Sequence, residues 1–406
     1  MQSDVCPALA IPRLLCALLL LACLAPAALA QTGDPLEYRI GYLRTEGKKL
    51  ALSVLDVSPK DEGLAGAKVA INDNNTTGKF LNQKFVLEDV VIGEGKDPMP
   101  EVERLAGAGF NYLVLDLPAE QVLRIADAVK ERGILVFNSG ATDDSLREEN
   151  CRGNVFHTAP TRSMLADGLA QYFVWKQWRN WVLIEGSNPP DKLWAEAIKR
   201  AATRFGAKIV EERVFEDTGT ARRTDTGQVQ IQKQMPVFMQ GLPDHDVVMT
   251  ADESEVFGTY LPFRTWIPRP VAGSAGLVPS TWHPAHEQWG AMQIQNRFVK
   301  AIGRRMESKD MQAWIAVRIV GEAAQRTKSA DLKVITDYIK SPDFSLAAFK
   351  GQKVTFRNWN WQLRQPILLS DNRSVVSVSP QEGFLHQVSE LDTLGVDQPE
   401  TKCSLQ

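Results

Sequence analysis

The chain has 406 residues, of which 44% are hydrophobic and 23% charged, with a formal net charge of −3. That length suffices for two domains with substantial cores. The near-neutral charge lacks the basic face that phosphate-backbone binding requires, which excludes nucleic acid as a partner. The five cysteines follow no Cys-x-x-Cys spacing, which excludes a zinc–thiolate site.

The first thirty residues read as an export signal rather than as fold. Arg13 precedes the apolar run Leu14 to Leu21, Pro26 breaks it, and Ala28-Leu29-Ala30 forms a small-x-small cleavage site near Ala30. Leu20-Leu21-Ala22-Cys23 resembles a lipoprotein processing site, so anchoring at Cys23 is the alternative. The apolar core is short for a bilayer span, and no later run is long enough. Cys6, Cys16 and Cys23 fall in this segment. Cys151 and Cys403 then remain as an even pair in an oxidising compartment, either as a disulfide holding the tail to the middle of the chain or as two unpaired thiols.

Beyond the signal, apolar runs alternate with amphipathic patterns. Tyr38 to Leu43 predicts a strand, Gly63 to Asn74 a helix, Phe85 to Ile92 a strand, and Glu101 to Ala106 a helix. Tyr112 to Leu115 and Ile134 to Phe137 are strands around an amphipathic helix. A second series follows: helix Met164 to Trp175, strand Trp181 to Glu185, helix Leu193 to Phe205, and strands Lys208 to Phe215 and Asp246 to Thr250. Glu287 to Arg304 and Asp310 to Arg326 read as long helices. In the second of these, Arg318, Glu322 and Arg326 form one charged stripe on an otherwise apolar helix, which places it in a core. From Lys353 onward strands and turns take over. The alternation implies an α/β protein with mostly parallel sheets covered by helices on both faces.

No phosphate-binding Gly-x-x-x-x-Gly-Lys-Ser/Thr, no Gly-x-Ser-x-Gly nucleophile turn and no Gly-x-Gly-x-x-Gly occurs in a suitable place, so no catalytic residue is assigned. His283 and His286, beside Glu287, do not make a metal motif. Candidate chemistry lies instead in the loops after the strands, where open α/β sheets bind ligands. Asp116, followed by Pro118 and Glu120, either favours a helix N-terminus or faces a cleft. Ser139, Thr142, Asp143 and Asp144 follow the next strand, with Thr142 a candidate cap. Glu185 and Ser187 end one strand of the second series; Asp252, Glu253 and Glu255 follow another. A cleft edged by Asp116, Asp143, Glu185 and Asp252 suits a hard, highly charged cation, with Asp116, Asp143, Asp144 and Asp252 as metal candidates. Arg44 offers a carboxylate clamp. Trp282, Trp359 and Trp361 either stack on a flat ligand or pack in a core.

The run EGLAGAKVAINDNNTTGKFLNQKFVLEDV, with FNSGATDDSL and VFHTAP, resembles the branched-chain-amino-acid-type (type I) periplasmic binding proteins of ABC importers. FRNWNWQLRQPILL and GFLHQVSELDTLG look like a subgroup associated with pyrroloquinoline-quinone-dependent alcohol catabolism, some members of which are linked to lanthanide uptake. The resemblance implies two interleaved lobes with a ligand cleft between them: 31–157 with 284–330 as the first, 158–283 with 331–395 as the second, and a tail at 396–406. It also implies a monomeric periplasmic solute-binding protein, not an enzyme and without a cofactor, that delivers a small-molecule or metal-chelate ligand to an inner-membrane permease. A periplasmic sensor or accessory protein is the alternative to transport. Amino-acid binders of this family usually place a small or hydroxyl residue where Asp116 stands, and an Asp there repels a ligand carboxylate. The expected ligand is therefore a lanthanide ion or chelate, with an amino acid, small carboxylate or quinone-like metabolite as the alternative.

Overall fold

Strands that are apolar on both faces, each followed by an amphipathic helix, can bury themselves only as parallel sheets between two helical layers. The computed structural model describes residues 34–45, 58–217 and 225–405, with the backbone alone for 225–229. The export segment, including Cys23 and Ala30, lies outside the described residues. The first lobe contains β1 (Leu36–Thr45), α1 (Leu64–Leu81), β2 (Gln83–Ile92), α2 (Met99–Gly107), β3 (Tyr112–Asp116), α3 (Ala119–Val129), β4 (Leu135–Asn138) and β5 (Val155–His157). Its five strands are all parallel, in the order β2-β1-β3-β4-β5. Two-residue periodicity divides β3 between the faces: Val114 joins the core beneath α1, while Leu113 and Leu115 join the core beneath α2 and α3.

The second lobe begins with α4 (Arg162–Trp175) and continues through β6 (Asn180–Gly186), α5 (Pro189–Phe205), β7 (Lys208–Phe215), α6 (Asp225–Phe238), β8 (Val247–Ala251), α7 (Leu261–Arg264) and β9 (Val271–Gly273). These strands form a parallel sheet in the order β7-β6-β8-β9. β6 splits as β3 does, Trp181 and Leu183 to one core and Val182 and Ile184 to the other. β10 (Val278–Ser280) pairs antiparallel with a strand from the end of the chain. The chain then returns to the first lobe with α8 (Ala291–Ile302), α9 (Ser308–Thr327), α10 (Leu332–Lys340), β11 (Leu346–Ala347), β12 (Lys353–Phe356) and β13 (Leu363–Arg364). β14 (Ile367–Ser370) and β15 (Val375–Ser379) complete the sheet with β10 in the second lobe.

The chain thus passes between lobes near residues 158–161, at 281 and near 365. The last position corrects the expected boundary at 330. Ile335, Ile339, Phe344, Leu346, Val354, Phe356 and Leu363 all pack into the first core, whereas Ile367 and Leu369 belong to the second. The polar turn-like residues after Arg326 conceal this, because α10 exposes most of its surface and buries only Ile335 and Ile339.

Two helices depart from their expected bounds for local reasons. α1 runs past Asn74 to Leu81 because the Asn74 side chain, fully buried, donates to Val317 O on α9 at 3.0 Å. The polar NDNNTT run thus lies within the helix, with Asn74 at a helix–helix contact. α8 starts at Ala291 rather than Glu287, because Trp289 (φ 53°) and Gly290 (φ 79°) both take the left-handed conformation. The pair Cys151–Cys403 is a disulfide closing a separation of 252 residues.

α1 and α9 pack almost backbone to backbone at their N-termini. Gly63 N donates to Asp310 Oδ1 at 2.9 Å, and a Cβ on Gly66 would lie 1.8 Å from the Asp310 carbonyl oxygen. Gly66→Ala therefore forces the helices apart and is expected to cost about 3 kcal/mol or more by urea unfolding. Wild-type stability in that variant would show that the helices separate freely.

Candidate functional site

The carboxyl ends of the two sheets face one another, and one side chain registers this directly. Arg162, the first residue of α4, holds Glu253 bidentately at 2.8 and 2.9 Å and lies 3.4 Å from Asp143. Glu253 follows β8 in the second lobe and Asp143 follows β4 in the first, so a single guanidinium meets an acid from each. The position of Arg162 is set locally: Thr161 Oγ1 accepts from Met164 N at 3.0 Å, and Arg162 N donates to Thr142 O at 2.9 Å. A planar guanidinium with two carboxylates is a geometry that lysine could not copy.

On the first lobe, Asp116 ends β3 and accepts from Lys309 Nζ at 2.9 Å (Oδ1) and 3.1 Å (Oδ2). Lys309 is the second residue of α9, which crosses beneath the strand end. Burial works against its charge, but Asp116 and Glu62 outweigh that and hold the ammonium above the ordinary lysine value. Gly140 lies against the same carboxylate; a Cβ there would come within 2.3 Å of Asp116 Oδ1. Asp116 is thus not a lone negative charge at the strand end, and the repulsion expected of it toward a ligand carboxylate is cancelled by its partner. Lys309 was not found from the sequence, because nothing near Asp116 in the chain announces a residue 193 positions away.

The remaining candidates are distributed among other tasks. Asp144 Oδ2 accepts from Ser163 N at 3.2 Å, closing the N-terminus of α4, and burial pushes its carboxyl up. Thr142 contributes its carbonyl to Arg162 and does not cap the 144–147 turn. Ser139 is buried and donates to Leu115 O at 3.2 Å. Asp252 accepts from the backbone N–H groups of Val256 (2.9 Å), Phe257 (2.7 Å) and Gly258 (2.5 Å), and shapes the loop that carries Glu253. Glu185 points to the flank, 3.4 Å from Lys199 on α5, which also pairs with Glu212 on β7. Arg44 is held by Asp89 at 2.9 and 3.1 Å and by Lys60 O at 3.0 Å. Trp282 is 2% exposed, donates to Gln295 Oε1 at 3.2 Å and belongs to the first core, which corrects its assignment to the cleft.

The expected cage of Asp116, Asp143, Asp144 and Asp252 does not form. Among the described residues no group of three or more acidic, histidine or cysteine side chains is placed to hold a metal ion. His286 instead packs edge-on against Trp282 and Trp289, with ring centres 5.4 Å from each. Trp361 packs on Phe156, and Trp359 lies between the Arg357 and Arg364 guanidiniums. Beside the Arg162 clasp, a groove of about 850 Å³ runs between the 143–149 loop, α5 and the C-terminal tail.

Residues 60–228 match the family model described as periplasmic binding protein. The Leu/Ile/Val-binding protein BraC3 of Rhizobium johnstonii is 26% identical over 113 residues, which is 28% of this chain and 30% of that protein, so the match spans under a third of that relative's length. Among solved structures, a branched-chain amino acid ABC transporter periplasmic ligand-binding protein from Burkholderia xenovorans superimposes with a TM-score of 0.69 at 16% identity, over 91% of this chain and 99% of that one. A solute-binding protein of an R. palustris ABC transporter, in complex with benzoate, gives 0.64 at 12% identity over 91% and 100%. The fold is therefore the two-lobe type I periplasmic-binding-protein fold.

The Asp116–Lys309 pair makes a quantitative expectation. Lys309→Met alone leaves a poorly solvated carboxylate unpaired and should lower stability by about 1–3 kcal/mol, while Asp116→Asn with Lys309→Met should recover part of it. A double-mutant cycle in urea with zero coupling energy would show the pair to be incidental.

Proposed function

We propose that this chain, a protein of type I periplasmic-binding-protein fold, is the exported solute-binding component of an ABC importer, and that its ligand is a small organic solute bearing a carboxylate. It is a binding protein and not an enzyme. The observation that carries the reading is the cleft's pair of pre-formed charge pairs, Asp116–Lys309 on one lobe and Arg162 with Glu253 and Asp143 at the junction of both. Each pair offers a cation to an acid and an anion to an amine. Lys309 keeps a third N–H beyond the two that Asp116 accepts, and Arg162 keeps donors free of Glu253. Ligand touching both lobes populates the closed form, because only that form makes both sets of contacts. The permease then meets a closed, loaded protein.

The relatives agree with a carboxylate. One is named for leucine, isoleucine and valine, and another was solved with benzoate. A bare lanthanide ion fits poorly, since the Lys309 ammonium stands 2.9 Å from the principal carboxylate. A lanthanide inside an organic carboxylate chelate is the second reading. It is favoured by the C-terminal run FRNWNWQLRQPILL and its likeness to binders associated with quinoprotein alcohol oxidation, and the chelate's carboxylates would face the same two cations.

Thermal melting of the mature protein against amino acids, aromatic and aliphatic carboxylates, lanthanide salts, lanthanide–carboxylate chelates and quinone discriminates these. A true ligand at a hundredfold its Kd stabilises by about 2.7 kcal/mol. Carboxylates or chelates are expected to raise Tm, and Arg162→Ala to weaken binding by about 2 kcal/mol, roughly thirtyfold. A rise with free lanthanide salts alone would overturn the carboxylate reading.

A further inference from the structure

The polar atoms at the lobe crossings converge on one buried lysine. Lys350, 3% exposed, donates from Nζ to Thr281 O at 2.8 Å and to Gln365 Oε1 at 2.6 Å. Thr281 is the second crossing and Gln365 the third. Gln365 Nε2 in turn donates to Thr158 O, on the first crossing, at 2.8 Å. Gln312 Nε2 holds the Thr281 hydroxyl at 2.9 Å and so fixes the second crossing to α9. One ammonium and one amide therefore link all three passages of the chain.

We infer that Lys350 is the positioning residue of the hinge: while charged it clamps the crossings together and confines the lobes to a narrow range of angles, and once neutral it allows a wider range. The inference rests on the binding-protein reading, in which the lobes move about these crossings. A charged donor makes hydrogen bonds roughly twice as strong as a neutral one, so loss of the proton weakens both bonds at once.

The surroundings permit that loss near neutral pH. Among the described residues Lys350 has no ion-pair partner, and burial pushes its ammonium down to about 7. Of the segments packed around it, the one after the second crossing brings His286, which burial and the Lys350 charge keep below the usual histidine value, with His283 beyond it. α9 brings the uncharged Gln312. Beside the first crossing stand His157 at the end of β5, bonded to Asn138, and Arg147 of the 143–149 loop, bonded to Ala159 O and Gln362. Among the described residues no carboxylate shifts the ammonium back up. Because the folded value lies below the ordinary 10.5, the unfolded chain binds the proton more tightly. The stability penalty of burying the charge is thus fully present below about pH 7 and is relieved as pH rises toward 10.5. Hinge looseness and global stability should therefore rise together with pH, and it is the loosening that a merely structural lysine would not produce.

The test uses ligand-free mature protein with spin labels at the exposed positions Lys79 and Lys176, one on each lobe, and reads the inter-label distance distribution by pulsed electron resonance at pH 6 and pH 8.5. Wild type should be narrow at pH 6 and wider at pH 8.5, and Lys350→Met wide at both. A Lys350→Met protein with the wild-type width and the wild-type pH response overturns the inference. Gln365→Leu, which keeps the lysine but cuts its link to the first crossing, decides the matter if Lys350→Met does not fold. It should be wider than wild type at pH 6, and a wild-type distribution overturns the inference. No ligand enters the measurement, so an unsuccessful ligand screen leaves this result standing, and a ligand found by screening leaves it free to fail.

Discussion

Three crossings of the chain join the lobes, besides the disulfide-tied tail, and the backbone polar groups of those crossings are buried. A buried carbonyl or amide without a partner costs on the order of 1–3 kcal/mol. The crossings therefore demand donors and acceptors from side chains, and the structure supplies long ones. Gln362 donates to His157 O and Ala159 O, Gln365 to Thr158 O, Arg147 to Ala141 O, Asp143 O and Ala159 O, and Lys350 to Thr281 O. These four residues belong to the first lobe or its edge, so the first lobe grips the hinge and the second lobe is carried on it.

That constraint also arranges the cleft. The loop after β4 must bend to present its carbonyls to Arg147, and the same bend places Thr142 O against Arg162 N and Asp144 against the start of α4. Arg162 is thereby fixed where acids of both lobes can reach it. Most carboxylates that follow strands here are structural: Asp252 ties its own loop, Asp144 ends a helix, and Glu185 pairs on the flank. In the proposed site the charge that a ligand would meet is that of Lys309 and Arg162 with their partners, which is mixed rather than acidic. The long closure between Cys151 and Cys403 fixes the tail beside the same 143–149 loop, where Lys402 N donates to Glu148 Oε2 at 2.7 Å.

The fold was largely legible because burial on both faces imposes a pattern that the chain displays locally. β3, β4, β6 and β8 are continuous apolar runs, and each is followed by the amphipathic or turn signal that a parallel sheet needs. Misreadings fell where tertiary contacts override local chemistry. The helix expected to end at Asn74 continues through the polar run to Leu81, because α9 satisfies the Asn74 side chain. Residues 332–363 read as the start of the second lobe, yet their few apolar side chains fill the first core. Trp282 misled for a related reason: a large indole reads the same in sequence whether it lines a cleft or fills a core.

By itself the sequence determined the layer architecture, and it gave as expectations the export signal, the two late cysteines as a candidate pair, and the strand-end loops as the place to look for a ligand. These follow from periodicity, composition and parity, which are properties of neighbouring residues or of simple counts. Only the tertiary structure decided what each charged side chain in those loops does. The partner of Asp116 is 193 positions away, that of Arg162 is 91 away, and the lysine joining the three crossings lies within none of them. An ion pair depends on which side chains meet across a few ångströms, and no local pattern encodes a meeting between residues so far apart in the chain.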